Sequence, residues 1–306
     1  MTAYVIRRIL WTVPVLWAIA TITFFLMHSV PGGPFDRERE LPPAVRANLE
    51  QKYGLDAPLG EQYVTYMKNL VQGDLGVSME SQRPVTEIIK EGLSVSLELG
   101  ISAFIFATVF GFTTGLIAAL NHNRPGDYLG VFVATAGSAM PNFILATFLV
   151  IIFSVQLGWT DVIGWELFNP KKMILPMVAL GMLPAAYIAR ITRASMLDVL
   201  NQDYVRTARA KGLSEWVVII RHTMRNAMVP ILTVLGPIFA VLVTGSFIIE
   251  TTFAINGVGR YFVSSIGSRD YGVIMGTTLF FAFIVVMANL VVDLLYAVVD
   301  PRIRYG

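Results

Sequence analysis

The chain has 306 residues, of which 55% are hydrophobic and 14% are charged, and its mean hydropathy is +0.64. Soluble domains are typically about 45–50% apolar and about 25% charged, so this composition argues against a water-soluble enzyme. The 23 basic and 21 acidic residues give a net charge of +2, which is too balanced for a nucleic-acid-binding protein. Cysteine is absent and only three histidines occur, at His28, His122 and His222. This excludes disulfides and thiolate catalysis, and it predicts no metal site.

Formal charges are absent from six stretches of the chain. Each stretch holds a mainly apolar run of about 17–25 residues, which as a helix crosses a hydrocarbon core of about 30 Å. A charge at mid-bilayer costs roughly 2.5–3.5 kcal/mol on insertion scales, so we predict an all-α membrane protein with six transmembrane helices. The predicted spans are about residues 9–30, 95–120, 128–153, 173–194, 229–250 and 273–298.

Lysine and arginine residues between the spans indicate the orientation, because they are enriched in cytoplasmic loops. Twelve lie in the termini and connections on one side, against four in the short loops on the other, so both termini are predicted to be cytoplasmic. The twelve are Arg7, Arg8, Arg124, Arg190, Arg193, Arg206, Arg209, Lys211, Arg221, Arg225, Arg302 and Arg304. The four are Lys171, Lys172, Arg260 and Arg269.

The long segment at residues 31–92 is predicted to be external and helical. One helical pattern begins at Pro42 and stops at Gly54, a second ends at Gly73, and a third starts at Pro84 and leads into the second span. Such short helices are marginal alone, so we expect them to lie on the bilayer surface or against a partner. A surface-lying loop without a specific partner is the alternative.

Some residues inside the spans indicate bending and close packing. Gly111 and Gly115 form a small-xxx-small pair, which we interpret as plain helix packing. Glu98 and Asp293 lie at the edges of their uncharged stretches, where an interfacial position is favoured over a proton relay. Prolines predict kinks where neighbouring groups can satisfy the freed carbonyls; they are Pro14, Pro141, Pro176, Pro184 and Pro237.

Catalytic and nucleotide-binding motifs are missing from the sequence. It contains no G-x-x-x-x-G-K-[ST] phosphate cradle, no H-E-x-x-H and no G-x-S-x-G. We therefore predict that the chain is not an enzyme and binds no cofactor itself. An ion-coupled secondary transporter or channel is a rival class, but it would need buried ionisable residues within the spans and an inverted repeat, and neither is evident. A membrane enzyme would need a catalytic set, which is also not evident.

The one long basic connection, predicted at residues 195–228, carries a short helix. Asp203 is expected to cap it, with Tyr204 as its first residue, Lys211 in its last turn and Gly212 as a left-handed stop. A helix of about two turns does not hold itself in water.

This short helix is a candidate docking element. Ala208 and Ala210 add almost no bulk, so a socket on another protein could hold the backbone closely. Ser214 is expected to cap a second helix beyond it. An ordinary basic inner loop with no docking role is the alternative that these residues leave open.

The same region carries a family resemblance. Residues 203–230, DYVRTARAKGLSEWVVIIRHTMRNAMVP, resemble the cytoplasmic coupling loop of permease subunits in binding-protein-dependent ABC importers of the peptide/nickel group. The external PGGPFDRERELPPAVRANLEQKYGLDAP and the short loop between spans three and four resemble the oligopeptide branch more than the dipeptide branch. Further similar stretches are IRRILWTVPVLWAIATITFF, GDLGVS, MILPMVALG, ARITRASMLDVL and NLVVDLLYAVVDPRIRY.

The resemblance implies a type I importer fold, with residues 1–306 forming a single permease domain in a bacterial-type cytoplasmic (inner) membrane. It implies a heterodimer with a second homologous permease subunit and two ATPase subunits that carry ATP and Mg. An extracytoplasmic substrate-binding protein would complete the assembly. Oligopeptides are the expected cargo, with dipeptides, nickel, glutathione-like compounds or oligosaccharides as alternatives. The residues that line the substrate pathway are not assigned.

The resemblance also implies which residues contact the ATPase. The family's EAA-x-x-x-G element maps onto this loop, although Arg206 replaces the glutamate and Thr207 replaces the first alanine. The implied ATPase-coupling residues are Tyr204, Val205, Arg206, Thr207, Ala208, Arg209, Ala210, Lys211 and Gly212.

Overall fold

The computed structural model describes residues 2–35 and 42–299, with the side chains of residues 10–35, 42–288 and 290. The regular structure of this part of the chain is helical apart from an isolated bridge between Val77 and Pro84, and turns and loops connect the helices. The α-helices are α1 (Thr2–Ser29), α2 (Pro43–Lys52), α3 (Leu59–Val71), α4 (Val85–Leu120), α5 (Pro125–Ala139), α6 (Asn142–Leu149), α7 (Pro170–Leu200), α8 (Asp203–Ala210), α9 (Glu215–Val217), α10 (Arg225–Val243), α11 (Phe247–Thr252), α12 (Val258–Ser268) and α13 (Tyr271–Val299). There are also two π-helical segments. Val150–Gln156 follows α6, and Val218–Met224 precedes α10.

Several helical stretches are long and apolar enough to cross a membrane, which confirms the predicted all-α, multi-span class. Among the described residues there are five, at Leu10–Ser29, Val85–Leu120, Pro170–Leu200, Glu215–Val243 and Tyr271–Ala288. A bent pair of helices raises the number to six if the pair is counted as one span.

The bent pair occupies the third predicted span. Pro125–Ala139 and Asn142–Gln156 are inclined by 107° to each other. Met140 is extended at φ −102° and ψ 134°, as expected for a residue before proline, and Pro141 has no N–H to continue the helical ladder. The kink expected at Pro141 is therefore a full break in the helix.

Helix ends depart from the predicted spans in several places. The helix of the fifth predicted span, 229–250, begins at Glu215 and stops at Val243, because Gly245 turns the chain at a φ of +86°. The second spanning helix begins at Val85, ten residues before the predicted start of its span, and α7 runs to Leu200 rather than to about 194. The first part of the predicted 195–228 loop is thus helical. Hydropathy marks where a helix meets lipid, but backbone hydrogen bonding continues into the polar region.

Contacts divide the chain into two compact units, Met1–Val95 with Asn256–Met287 and Ser96–Ile255 with Ala288–Gly306. In the first unit, α2 and α3 form as predicted, and Gly54 and Gly73 follow them at positive φ. An aromatic cluster joins α1, α3 and α13, with Phe24 and Tyr271 buried at its centre. Tyr63 of α3 lies 5.4 Å from Phe24, centroid to centroid.

A buried carboxylate fixes the start of α13 within the first unit. Asp270 is 3% exposed. It accepts hydrogen bonds from Ser78 Oγ at 2.5 Å, from the backbone N–H of Met79 at 3.1 Å and from that of Glu80 at 3.3 Å. The N–H of Val273, in the first turn of α13, also donates to it at 3.3 Å. One aspartate thus caps a helix and fastens the segment that precedes α4.

Small residues hold α4 against α7 in the second unit. A Cβ atom at Gly111 would lie 2.5 Å from the carbonyl oxygen of Ala185, and one at Gly115 would overlap the carbonyl oxygen of Ala189. Glycine is needed at both positions because the two backbones approach closely. The interpretation of this glycine pair as a packing feature is confirmed.

We predict that Gly115→Ala destabilises the protein. The added methyl group meets backbone rather than a mobile side chain, so overpacking should cost about 1–3 kcal/mol. Thermal unfolding of the protein purified in detergent would measure the loss. Gly60→Ala is the matched control, because Gly60 lies in α3 with no neighbouring atom within 4 Å; equal melting of the two variants would contradict the packing role.

Candidate functional site

The connection between α7 and α10, residues 201–224, contains the predicted docking helix. It consists of α8, a turn, α9 and the π-helical segment Val218–Met224. Gln202 is the residue that precedes α8, and its side chain makes no capping hydrogen bond. Asp203 is the first helical residue, so the prediction that it caps the helix is wrong. Its carboxylate lies 3.5 Å from Arg206, still at the positive end of the helix dipole.

The end of α8 follows the predicted pattern. Gly212 has a φ of +77°, and its N–H donates to the carbonyl oxygen of Arg209 at 2.9 Å. The N–H of Leu213 donates to the carbonyl oxygen of Ala208 at 3.4 Å. Ser214 precedes α9 as predicted, although its side chain makes no capping hydrogen bond. The left-handed glycine turns the chain sharply away from α8.

One face of α8 packs against its own chain. Val205 is fully buried and Ala208 is 5% exposed, and both contact the fully buried Val218. Val199, at the end of α7, packs against the same cluster. Burial of this face explains how a helix of eight residues is stable, since a helix of that length is not stable alone.

The remaining implied ATPase-coupling residues are exposed. They are Tyr204, Arg206, Thr207, Arg209, Ala210, Lys211 and Gly212. Of the two small residues expected to face a socket, Ala210 is exposed but Ala208 points into the protein. A close approach by another molecule therefore depends on the Thr207 and Ala210 side of α8. The sequence alone does not distinguish these faces, because both carry small side chains.

Charged and aromatic groups surround the exposed face of α8. Arg209 Nε donates to Glu215 at 2.7 Å, and Asn226 Nδ2 donates to Tyr204 Oη at 2.7 Å, which ties α8 to α10. Trp216 is 72% exposed. Exposed ion pairs contribute at most about 1 kcal/mol, so the charged groups can be redirected to a partner at low cost.

Among the described residues, three carboxyl groups at the edges of charge-free stretches are buried, those of Asp127, Asp270 and Glu250, and the sequence pattern singled out none of them. Glu250 in α11 is fully buried and accepts a hydrogen bond from Ser96 Oγ at 2.8 Å. Gly245, at φ +86°, allows this approach, since a Cβ there would lie 2.8 Å from Oε1. Because Glu250 ends an uncharged stretch, the pattern did not mark it as an ionisable residue within a span. Its position between apolar neighbours, in FIIETTF, was the available signal.

Other polar residues of interest are placed as follows. Glu98 accepts a hydrogen bond from the indole Nε1 of Trp165 at 3.1 Å, and the side chain of Asp293 lies outside the described residues. Tyr66 of α3 borders a cavity of about 300 Å³ in the first unit. Burial raises the pKa of Tyr66 to about 12, so its hydroxyl remains neutral. No group of three metal-ligating side chains occurs in the described part of the chain.

The fold resembles two solved transport proteins. One is the crystal structure of an amino acid ABC transporter with histidines, with a TM-score of 0.54 and 18% identity over 71% of this chain and 95% of that one. The other is the inward-facing MetNI methionine ABC transporter, with a TM-score of 0.57 and 16% identity over 70% of this chain and 97% of that one. The fold is thus that of a type I ABC importer permease.

Sequence comparison identifies the family. Residues 111–305 match the binding-protein-dependent transport system inner membrane component, and residues 1–100 match the N-terminal part of such membrane components. The chain belongs to this family and is a multi-pass inner-membrane permease subunit of an ABC importer.

Relatives named for the transport of small peptides align with nearly the whole chain. The dipeptide transport system permease protein DppB of Bacillus subtilis (strain 168) is 46% identical over 99% of this chain and 98% of its own. The oligopeptide transport system permease protein OppB of Escherichia coli (strain K12) is 42% identical over all of both chains. The glutathione transport system permease protein GsiC of Shigella flexneri serotype 5b (strain 8401) is also 42% identical.

We predict that Val205→Ala loosens α8 from the protein. Removing two methyl groups from a fully buried position should cost about 2 kcal/mol, which would raise the hydrogen-exchange rate of the α8 amides roughly tenfold or more. Thr207→Ala is the control, because it makes a similar truncation on the exposed face. Equal exchange in the two variants would mean that the Val205 contact does not hold α8.

Proposed function

We propose that this permease subunit forms half of a translocation pathway for oligopeptides and is driven by separate ATPase subunits that bind the exposed face of α8. The observation that carries the proposal is the geometry of α8. It is anchored by Val205 and Ala208 while its basic face, with Arg206 and Arg209, remains exposed. A helix held in this way acts as a rigid lever between a partner and the bundle.

The proposed assembly follows from the family. A second, homologous permease subunit completes the pathway as a heterodimer, and an extracytoplasmic substrate-binding protein delivers the cargo. The sequence contains no phosphate cradle of its own, so ATP and Mg belong to the two ATPase subunits. The excess of basic residues on the side of α8 supports cytoplasmic termini. Arg302 and Arg304, which contribute to that excess, lie outside the described residues.

Transport is driven by the difference in ATP affinity between two conformations of the assembly. An ATPase pair that closes on ATP would move α8. A ligand shifts a conformational equilibrium only as far as the ligand's affinities for the two conformations differ. The permease alone would therefore not accumulate solute. Its kinked helices, with breaks such as the one at Pro141, offer places where the bundle can rearrange.

Peptides are the cargo favoured by the relatives. Those named for dipeptide and oligopeptide transport are 46% and 42% identical to this chain. These identities are too similar to decide between dipeptides and oligopeptides as cargo. The external PGGPFDRERELPPAVRANLEQKYGLDAP stretch supports oligopeptides. Dipeptides, nickel, glutathione-like compounds and oligosaccharides are the alternatives, and one relative is named for glutathione transport. An ion-coupled mechanism is less favoured, although Glu250 is a buried carboxyl group, because the fold is that of an ATP-driven importer.

A bulky residue on the exposed face of α8 should prevent ATPase binding. We expect Ala210→Trp to abolish both ATP-dependent uptake and co-purification of the ATPase subunits, since the indole would fill the space into which the partner fits. Co-purification and transport assays in vesicles would measure this. Ala47→Trp, a matched change on the exposed surface of α2, should leave co-purification intact; wild-type behaviour of Ala210→Trp would contradict the docking role.

The cargo can be identified directly from the purified assembly. We expect the co-isolated binding protein to carry peptides longer than two residues, detected by mass spectrometry of the released ligand. If only dipeptides were released, the cargo would be dipeptides rather than oligopeptides. A bound nickel complex or oligosaccharide would contradict peptide transport.

A further inference from the structure

An ion pair between α5 and α7 lies close to the α7–α10 connection but outside it. The carboxylate of Asp127, in the first turn of α5, accepts hydrogen bonds from Nε and Nη2 of Arg193 at 2.6 and 2.7 Å. Asp127 is 2% exposed, while the side chain of Arg193 is 28% exposed. Two parallel bonds from one guanidinium fix both the position and the orientation of the carboxylate.

The turn between α4 and α5 closes around the same carboxylate. The backbone N–H of Asn123 donates to Oδ2 of Asp127 at 3.0 Å. Nδ1 of His122 lies 3.3 Å from that oxygen and 3.3 Å from Nη2 of Arg193. Asp127 therefore brings together the end of α4, the start of α5 and the side of α7.

Apolar contacts already hold α5 against α7 without the ion pair. Ala134 of α5 packs with Ala186 and Ala189 of α7 in a buried cluster, and Gly137 lies against Met182. Small residues of this kind allow helices to approach closely in a membrane. A buried ion pair adds little net stability, but it can specify one arrangement among several. The pair is thus suited to fixing how α5 is placed along α7.

The ion pair lies near α8. Leu200, the last residue of α7, is seven residues beyond Arg193, which is about 10 Å of helix, and α8 starts three residues later. Met196 packs with Ala119 at the end of α4, and Val199 contacts both that cluster and the one that anchors α8. The ends of α4 and α7, α8 and the ion pair form one continuous packed region.

We propose that the Asp127–Arg193 pair is the joint through which displacement of α8 is transmitted from α7 to α5 and its bent partner α6. The inference rests on the proposed function, since it assigns a role to residues that contact neither cargo nor ATPase. Both are positioning residues. With the joint broken, α7 follows α8 while α5 slides on its alanine contacts, and ATP is hydrolysed without transport.

The test measures peptide molecules taken up per ATP hydrolysed by the complete assembly in vesicles, at equal amounts of assembled complex. We expect Asp127→Asn to lower this ratio roughly tenfold, within the range reported for residues that couple distant sites, while ATP hydrolysis persists. Arg193→Gln should do the same, and the double variant should be no worse than either. Ser138→Ala is the matched control, because it removes the exposed hydrogen bond that Arg190 makes between the same two helices.

Two outcomes would overturn the proposal that this ion pair is a joint. One is an unchanged ratio of uptake to ATP hydrolysis in assembled Asp127→Asn. The other is a double variant in which the losses of the two single variants multiply. If Asp127→Asn does not assemble, Arg193→Lys is the deciding variant, because it keeps the positive charge but loses the bidentate geometry. A wild-type ratio of uptake to ATP hydrolysis in Arg193→Lys would overturn the proposal, and a reduced ratio would support it. A wild-type assembly without ATP-dependent uptake would overturn the proposed function itself, which separates the two failures.

Discussion

The hydrocarbon interior offers no water to the backbone, and this constraint governs most of the structure. Every N–H and C=O must find a partner within the protein, so the chain crosses as helices. Helices in lipid gain little from hydrophobic contact with each other, and close packing of small residues takes its place. Gly111 and Gly115 on α4, with Ala185 and Ala189 on α7, are the clearest case here.

The connection that carries α8 is stabilised differently, because it lies at the ends of the long helices. Its stability comes from burying Val205 and Ala208 against Val218, and its exposed face is left basic. The same eight residues therefore have one face that attaches the helix to its own chain and one that remains exposed. In the joint formed by Asp127 and Arg193, a polar contact instead fixes a geometry that apolar packing alone leaves free to slide.

The sequence predicted the parts of the fold that depend on local chemistry. Charge-free stretches gave the spans, Gly212 gave the end of α8, and Pro141 gave the position of a break. The 107° bend at that break depends on what α6 packs against, which no local pattern contains. Likewise, periodicity in eight residues could not show that Ala208 points inward. The burial of Glu250 was missed because a residue at the edge of an apolar stretch can end at an interface or inside the protein.

The π-helical segment Val218–Met224 has a consequence for how this protein can vary. A π-helical turn holds one more residue than an α-helical one, and here Thr223 Oγ1 reaches back five positions to the carbonyl oxygen of Val218 at 3.1 Å. Because the wide turn absorbs that extra residue, deleting one residue here would restore regular α-helical winding without rotating α10 about its axis. This stretch can therefore lose one residue while α10 keeps the same face toward α7.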